Sequence, residues 1–134
     1  MASVDLKNNI KTLSAFNSAS ITSSTTTAGN VIATAGYESL TFDNSIGTRT
    51  DGTFTPLIQD CDTVDGSFVD VADDFLIGTE AAASISASNR HSTIGYIGKK
   101  PFVKFSWVSS GVTSGATGCK STAILAAPLS APVA

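Results

Sequence analysis

The stretch Ile94–Val108, IGYIGKKPFVKFSWV, constrains the fold more than any other part of the chain. After Pro101 its residues alternate: Val103, Phe105 and Trp107 fall on one side, and Phe102, Lys104 and Ser106 on the other. A period of two, built from β-branched and aromatic residues, marks a half-buried strand, because successive side chains point to opposite faces of a sheet. Lys104 identifies the wetter face, so Val103, Phe105 and Trp107 are expected in the core. Trp107 is the only tryptophan, and one buried indole removes roughly 200 Å² from water. Before the turn, Ile94 and Tyr96 share a face, with Gly95 and Ile97 opposite. Pro101 has no N–H to give to a ladder, so it belongs at a strand start or in a turn. The expectation is a hairpin joined by a tight Gly98-Lys99-Lys100-Pro101 connection, with the rest of the chain supplying a partner sheet.

The remaining chain agrees with strands. It has 134 residues, the length of one domain, and only 14% of them are charged, while serine and threonine together exceed a quarter. Such a mixture, punctuated by glycine, favours strands and turns over helices. In order, strands are expected at Ser18–Thr27, Val31–Ala35, Tyr37–Asp43, Thr53–Cys61, Phe68–Val71, Arg90–Ile97, Phe102–Val108 and Cys119–Ala126. Pro56 demotes the Thr53–Cys61 strand to an edge or a bulge. Turn residues fill Asn44–Gly52, Asp62–Ser67 and Ser109–Gly118, and Ala72–Ser88 reads as loop or a turn of helix. Near the start, Leu6, Ile10 and Leu13 have helical spacing, which suits a short helical turn or an arm that orders against a neighbour. The result is an all-β chain: an antiparallel β-sandwich or small barrel of about seven to nine short strands. It forms a single domain, with an N-terminal arm over 1–16, a β core over 17–126 and a proline-containing C-terminal arm over 127–134.

Composition also bounds function. No apolar run approaches the length of a membrane span, and the opening MASVDLKNNIK has no apolar leader core, so neither membrane nor secretion is expected. The net charge of −3 argues against nucleic acid as the partner. Charge is unevenly placed: residues 38–80 carry ten acidic groups and one basic group, whereas residues 81–134 carry five basic groups and no acidic one. Unless strands from both halves interleave and mix the charges, this asymmetry can steer docking between copies or onto a partner.

The motifs contain little chemistry. Asp60, Asp62 and Asp65-Gly66 are out of step with a calcium loop, whose position 12 would be Val71, and read as a solvated acidic turn. His91 is the only histidine and has no sequence-visible triad, so a polar strand-start residue is the simpler reading. Cys61 and Cys119 are too few for a zinc site and are expected as reduced, partly buried thiols. Lys99 and Lys100 are solvated turn charges, or else partners for another protein's carboxylates. No catalytic residue, cofactor or metal site is expected, and the chain is not expected to be an enzyme.

Several pieces taken together resemble a known family. They are Asp5-Leu6-Lys7, Asp51-Gly52-Thr53-Phe54-Thr55-Pro56, Phe68-Val69-Asp70-Val71 and Gly95-Tyr96-Ile97-Gly98-Lys99-Lys100, with further similarity across roughly residues 5 to 126. The order is similar to that of small proteins encoded beside the major capsid protein in tailed bacteriophages and prophages. The resemblance implies a decoration, or cement, protein on the outer surface of the phage head, assembled in the bacterial cytoplasm. Its implied partners are the major capsid protein and other copies of itself, as a dimer or trimer. The two cysteines and the proline-containing tail depart from the pattern.

Such a protein needs a rigid core, many copies and apolar anchors in its arms, because an arm loses entropy when it docks. The candidate contacts are Leu6, Lys7, Ile10 and Leu13 at one end, Lys99 and Lys100 at the turn, and Leu129 and Val133 at the other end. The plainer alternative is that these apolar residues cap their own sandwich. Competing readings are a low-copy tail or head-completion protein, and a carbohydrate-binding module. The module would require a row of exposed aromatics, for which Tyr37, Tyr96 and Phe102 are the candidates.

Overall fold

Alternating side chains build two antiparallel sheets packed face to face. The computed structural model describes residues 10–128. Nine strands form: β1 Ile10–Ile21, β2 Thr26–Ala33, β3 Tyr37–Ile46, β4 Thr53–Cys61, β5 Val69–Asp70, β6 Leu76–Ile77, β7 Arg90–Tyr96, β8 Phe102–Ser110 and β9 Ala116–Pro128. A single 3₁₀ turn, Asp73–Phe75, precedes β6. One sheet has the order β1-β9-β3-β7-β6 and the other β2-β8-β4-β5. The fold is an open sandwich and not a closed barrel. β1 packs against β2, so the two sheets share that side, and β5 and β6 form the opposite edge.

The inner faces are those set by the period of two. Val103, Phe105 and Trp107 are fully buried, as are Phe42, Phe54 and Ile58. Phe105 is the hub of the aromatic core. Its ring centroid lies 5.2 Å from Trp107, edge-on, 5.6 Å from Phe42 and 6.3 Å from Phe16. Edge-to-face pairs at such separations add to simple burial. Gly29 allows β1 and β8 to close over this cluster, because a Cβ there would collide with the carbonyls of Ala15 and Phe105.

A polar thread also crosses the core. The Ser121 hydroxyl donates to Asn44 Oδ1 at 2.8 Å, Asn44 Nδ2 donates to Ser92 Oγ at 3.4 Å, and Ser92 donates to the Ala83 carbonyl at 2.7 Å. Buried polar groups hold their place when partnered in this way, and the thread fixes the register of β9, β3 and β7.

The expected hairpin does not form. β7 pairs with β3 and β6 in one sheet, while β8 pairs with β2 and β4 in the other. The segment 97–101 is a crossover. A tight hairpin turn needs positive φ at its centre, and Gly98 has none. Instead the chain stays open and spans the ~10 Å between stacked sheets, which five extended residues cover with ease. Thr34 anchors its far end: its N–H donates to the Pro101 carbonyl at 2.9 Å, and its hydroxyl donates to the Lys100 carbonyl at 3.0 Å.

Other boundaries shift for equally local reasons. The helical turn expected around Ile10 and Leu13 is strand: from Ile10 onward the expected arm is β1, with Leu13 opposite Ala123 of β9. The expected Ser18–Thr27 strand is divided between β1 and β2 by the turn at 22–25. Asn44 was expected in a turn but extends β3, because its amide is satisfied inside the core. β9 reaches Pro128, opposite Tyr37, and so takes in the first two residues of the expected C-terminal arm.

Candidate interaction surface

The crossover and its neighbours assemble the most differentiated part of the exterior. Tyr96, the last residue of β7, has its ring buried, 3% exposed, and its hydroxyl at the rim. That hydroxyl donates to Asp60 Oδ2 at 2.8 Å and accepts the Lys100 N–H at 3.2 Å. Burial and the Asp60 carboxylate together push its pKa up to about 12. One side chain thus ties the end of β7, the crossover and the end of β4. Lys100 Nζ then meets Asp62 Oδ2 at 2.9 Å, and this carboxylate holds the ammonium above its usual range.

Two open clefts flank Ile97–Lys99. One, of about 390 Å³, lies among Tyr37, Glu38, Leu40, Tyr96 and Gly98. The other, of about 440 Å³, is a groove between Phe75 and Ile97, walled by Asp60, Asp62, Lys99 and Lys100. The groove opens onto an apolar edge. Val64, Val69, Phe75, Ile77 and Ile97 are each more than half exposed, and they comprise the exposed large hydrophobic side chains among the described residues. All five lie in β5, β6, the adjoining turns or the crossover. Ile77 lies on Gly95, so it shares the outer face with Ile97, and the Ile97 N–H donates to the Phe75 carbonyl at 2.8 Å. Val69 pairs with Asp60 at the rim of the groove.

This edge is also where acidic groups gather. Asp60, Asp62, Asp65, Asp70, Asp73, Asp74 and Glu80 all fall within residues 60–80, with no basic residue among them. Glu80 is partly internal: its carboxylate accepts the Ile58 N–H at 2.6 Å on the outer edge of β4, and desolvation raises its pKa. Lys104 lies over the Phe68 ring, 5.0 Å from its centroid.

The sequence-derived candidates are distributed differently from expectation. Leu6, Lys7, Leu129 and Val133 lie outside the described residues. Ile10 and Leu13 are half-buried in β1, and Leu13 packs on the core of its own chain. Lys99 lines both clefts. Lys100 is paired within its own chain, so it is not a bare turn charge. Of the aromatics considered for a sugar-binding row, Tyr96 is buried and Tyr37 and Phe102 are half-buried. The exposed apolar edge itself was missed. Its only sequence signal is the apolar run Phe75-Leu76-Ile77 set directly after Asp73-Asp74.

Other reactive groups are accounted for structurally. Both cysteines are free; burial pushes the Cys119 thiol up and leaves it a poor nucleophile. His91 is exposed on the outer face, with Nδ1 3.9 Å from Asp43. Among the described residues, no cluster of three or more His, Cys, Asp or Glu side chains is placed to hold a metal ion.

No family model matches this chain, and no curated protein matches it. Among solved structures, the SPBc2 prophage-derived protein YomS is similar to it, with 15% identity, a TM-score of 0.46, and coverage of 87% of this chain and 92% of that one.

Proposed function

We propose that this protein is a structural component of a phage particle, which decorates the outer surface of the icosahedral head and stabilises it by binding the lattice of major capsid protein. The reading joins the family resemblance of the sequence to one structural observation. Among the described residues, the exposed large apolar side chains all lie along the β5–β6 edge and the crossover beside it. Apolar patches rimmed by polar groups mark protein contact sites. The two-layer core, tied across by Tyr96 and threaded by Asn44, presents that edge on a rigid support. A rigid body with a one-sided contact edge suits a lattice, where many copies multiply individually weak contacts. Assembly in the bacterial cytoplasm and association with further copies of the chain belong to the same proposal, and no reaction centre is required by it.

The test is copy number. Quantitative mass spectrometry of purified virions would count this chain against the major capsid protein. A ratio near one, or a simple fraction such as a third or a half, is expected. A few copies per particle would move the protein to the tail or neck, and absence from virions would remove the structural reading.

A further inference from the structure

We infer that β1 is an exchangeable strand, which a second copy of this chain can supply, and that a hydrogen-bonded clasp centred on Ser109 is the latch that keeps it in its own chain. The inference concerns the fold and stands apart from the head-binding reading.

The site that receives β1 is fully described, because the chain's own β1 occupies it. β1 is the edge strand of its sheet and pairs with β9 alone, so it can leave without breaking any other ladder. From Ile10 to Ser14 it runs opposite Ala126 to Thr122 without interruption, and beyond Ser14 the register shifts repeatedly. Its buried side chains are Ala15, Phe16 and Ile21. Phe16 meets Phe105 edge-on, and Asn30 Nδ2 of β2 donates to the Ser14 carbonyl at 2.8 Å. A β1 from a second copy would find each of these partners in place, since exchange of an identical element preserves its contacts. Only the connection to β2 differs.

That connection is short and firmly held. Residues 22–25 carry the chain from β1 in one sheet to β2 in the other. Ser109, near the end of β8 and 4% exposed, closes on this turn. Its hydroxyl donates to the carbonyls of Ser23 at 2.7 Å and Thr25 at 3.0 Å, and accepts the Thr25 N–H at 3.1 Å. Its own N–H donates to the Thr25 carbonyl at 2.9 Å, and Ser24 Oγ accepts the Val112 N–H at 2.9 Å. A short connection favours exchange, because an extended segment relieves the reversal. The clasp opposes exchange. Without the Ser109 hydroxyl, the Ser23 carbonyl and the Thr25 N–H lose this partner in the closed form, but meet water in an extended connection. Ser109 thus acts on the difference between the closed and exchanged forms and touches none of the contacts that seat β1.

A disulfide that reports which chain β1 lies in tests the inference. Cys61, a partly exposed free thiol, is first replaced by serine. In that background Thr12→Cys/Ile124→Cys sets two thiols on opposed residues of β1 and β9, within bonding reach. Oxidation links them within one chain when β1 is at home and between chains when it is exchanged. Each protein is refolded from urea at high concentration, oxidised, and followed by sedimentation and a non-reducing gel. The protein with Ser109 should link within the chain. Ser109→Ala should raise the interchain fraction about tenfold or more, as for the loss of a buried hydrogen-bond partner. A second variant deletes Ser23 and Ser24. Two residues are too few to reverse the chain between sheets stacked ~10 Å apart, so it too should link between chains. A folded Ser109→Ala protein that links only within the chain would overturn the latch, as would equal interchain linkage with Ser109 present. Should Ser109→Ala not fold, Ser24→Ala takes its place, and no rise in interchain linkage would overturn the latch. A deletion variant that is monomeric or unfolded, or a dimer whose disulfides all lie within chains, would overturn the exchange itself.

Discussion

Asp51 shows how a single carboxylate can hold two loops together. It sits between β3 and β4, and its Oδ1 accepts the N–H groups of Thr113, Ser114 and Gly115 at 3.1, 3.1 and 2.8 Å, while Oδ2 accepts Ser114 again at 3.2 Å. These amides belong to the β8–β9 turn, where Gly115 has φ of 83° and a Cβ would collide with the Ile21 carbonyl. Successive N–H groups in such a turn form a concave anion site, and here the chain fills it with its own carboxylate. The hydrogen bonds hold the Asp51 pKa below its ordinary 3.8. A depressed carboxylate stabilises the fold at pH values above the unfolded pKa, and that stability is lost as pH falls through the folded value. Asp51→Asn should therefore lower Tm at pH 7. Because the asparagine does not titrate, the gap between the two proteins should close as pH drops below about 4. Thermal melts from pH 7 to pH 2 would show the convergence; a constant gap would mean that the carboxylate charge is irrelevant to the clamp.

At the scale of elements, β4 shows how a sheet edge is closed without a full-length neighbour. On its outer side Phe54 exchanges both backbone hydrogen bonds with Ile85, Ile58 gives its N–H to Glu80, and Gln59 and Asp60 pair with β5. Pro56 lies between them on the same side, fully buried, where a missing N–H leaves nothing unsatisfied. Pro56→Ala would place an unpartnered donor at that edge and remove packed ring atoms, at a cost of about 1–3 kcal/mol. Urea denaturation would measure it, and an unchanged midpoint would mean that water or a shifted Glu80 accepts the new donor. The same strand shows what could be read from the sequence. Its bounds, and the place of Pro56 on a side that lacks a full-length neighbour, were legible in the sequence, because β-forming composition and a missing donor are local properties. Pairing partners could not be read in this way. Alternation says which way Ile94 and Phe105 point, not which strand lies beside them, so a crossover looked like a hairpin. β5 falls inside the strand expected at Phe68–Val71, but β6, at two residues, is too short to show any period, and alternation gave no sign that Val69, Phe75 and Ile77 would stay exposed.

Over the whole molecule, sequence neighbours mostly end up in opposite sheets. Only the β4–β5 and β6–β7 connections stay within one sheet. The acidic edge of residues 60–80 and the lysines of the crossover are brought together by this interleaving, and elsewhere β3 and β4 pair with β7, β8 and β9, so the two differently charged halves of the chain mix. The same topology governs folding. β1 pairs with β9 and β2 with β8, so the ladders close long loops before their burial compensates for the lost chain entropy. Folding should accordingly be slow for a chain of this size, on the order of milliseconds to seconds. Trp107 reports it directly, being the only tryptophan and fully buried against Phe105. In stopped-flow refolding its fluorescence should change in one dominant phase in that range, once interrupted unfolding has removed phases due to prolyl isomerisation. A microsecond phase carrying most of the Trp107 signal would mean that the aromatic core forms from local contacts. The strands on either side of Phe105 would then have to find each other before the two sheets are aligned, contrary to a core assembled across the interleaved ladders.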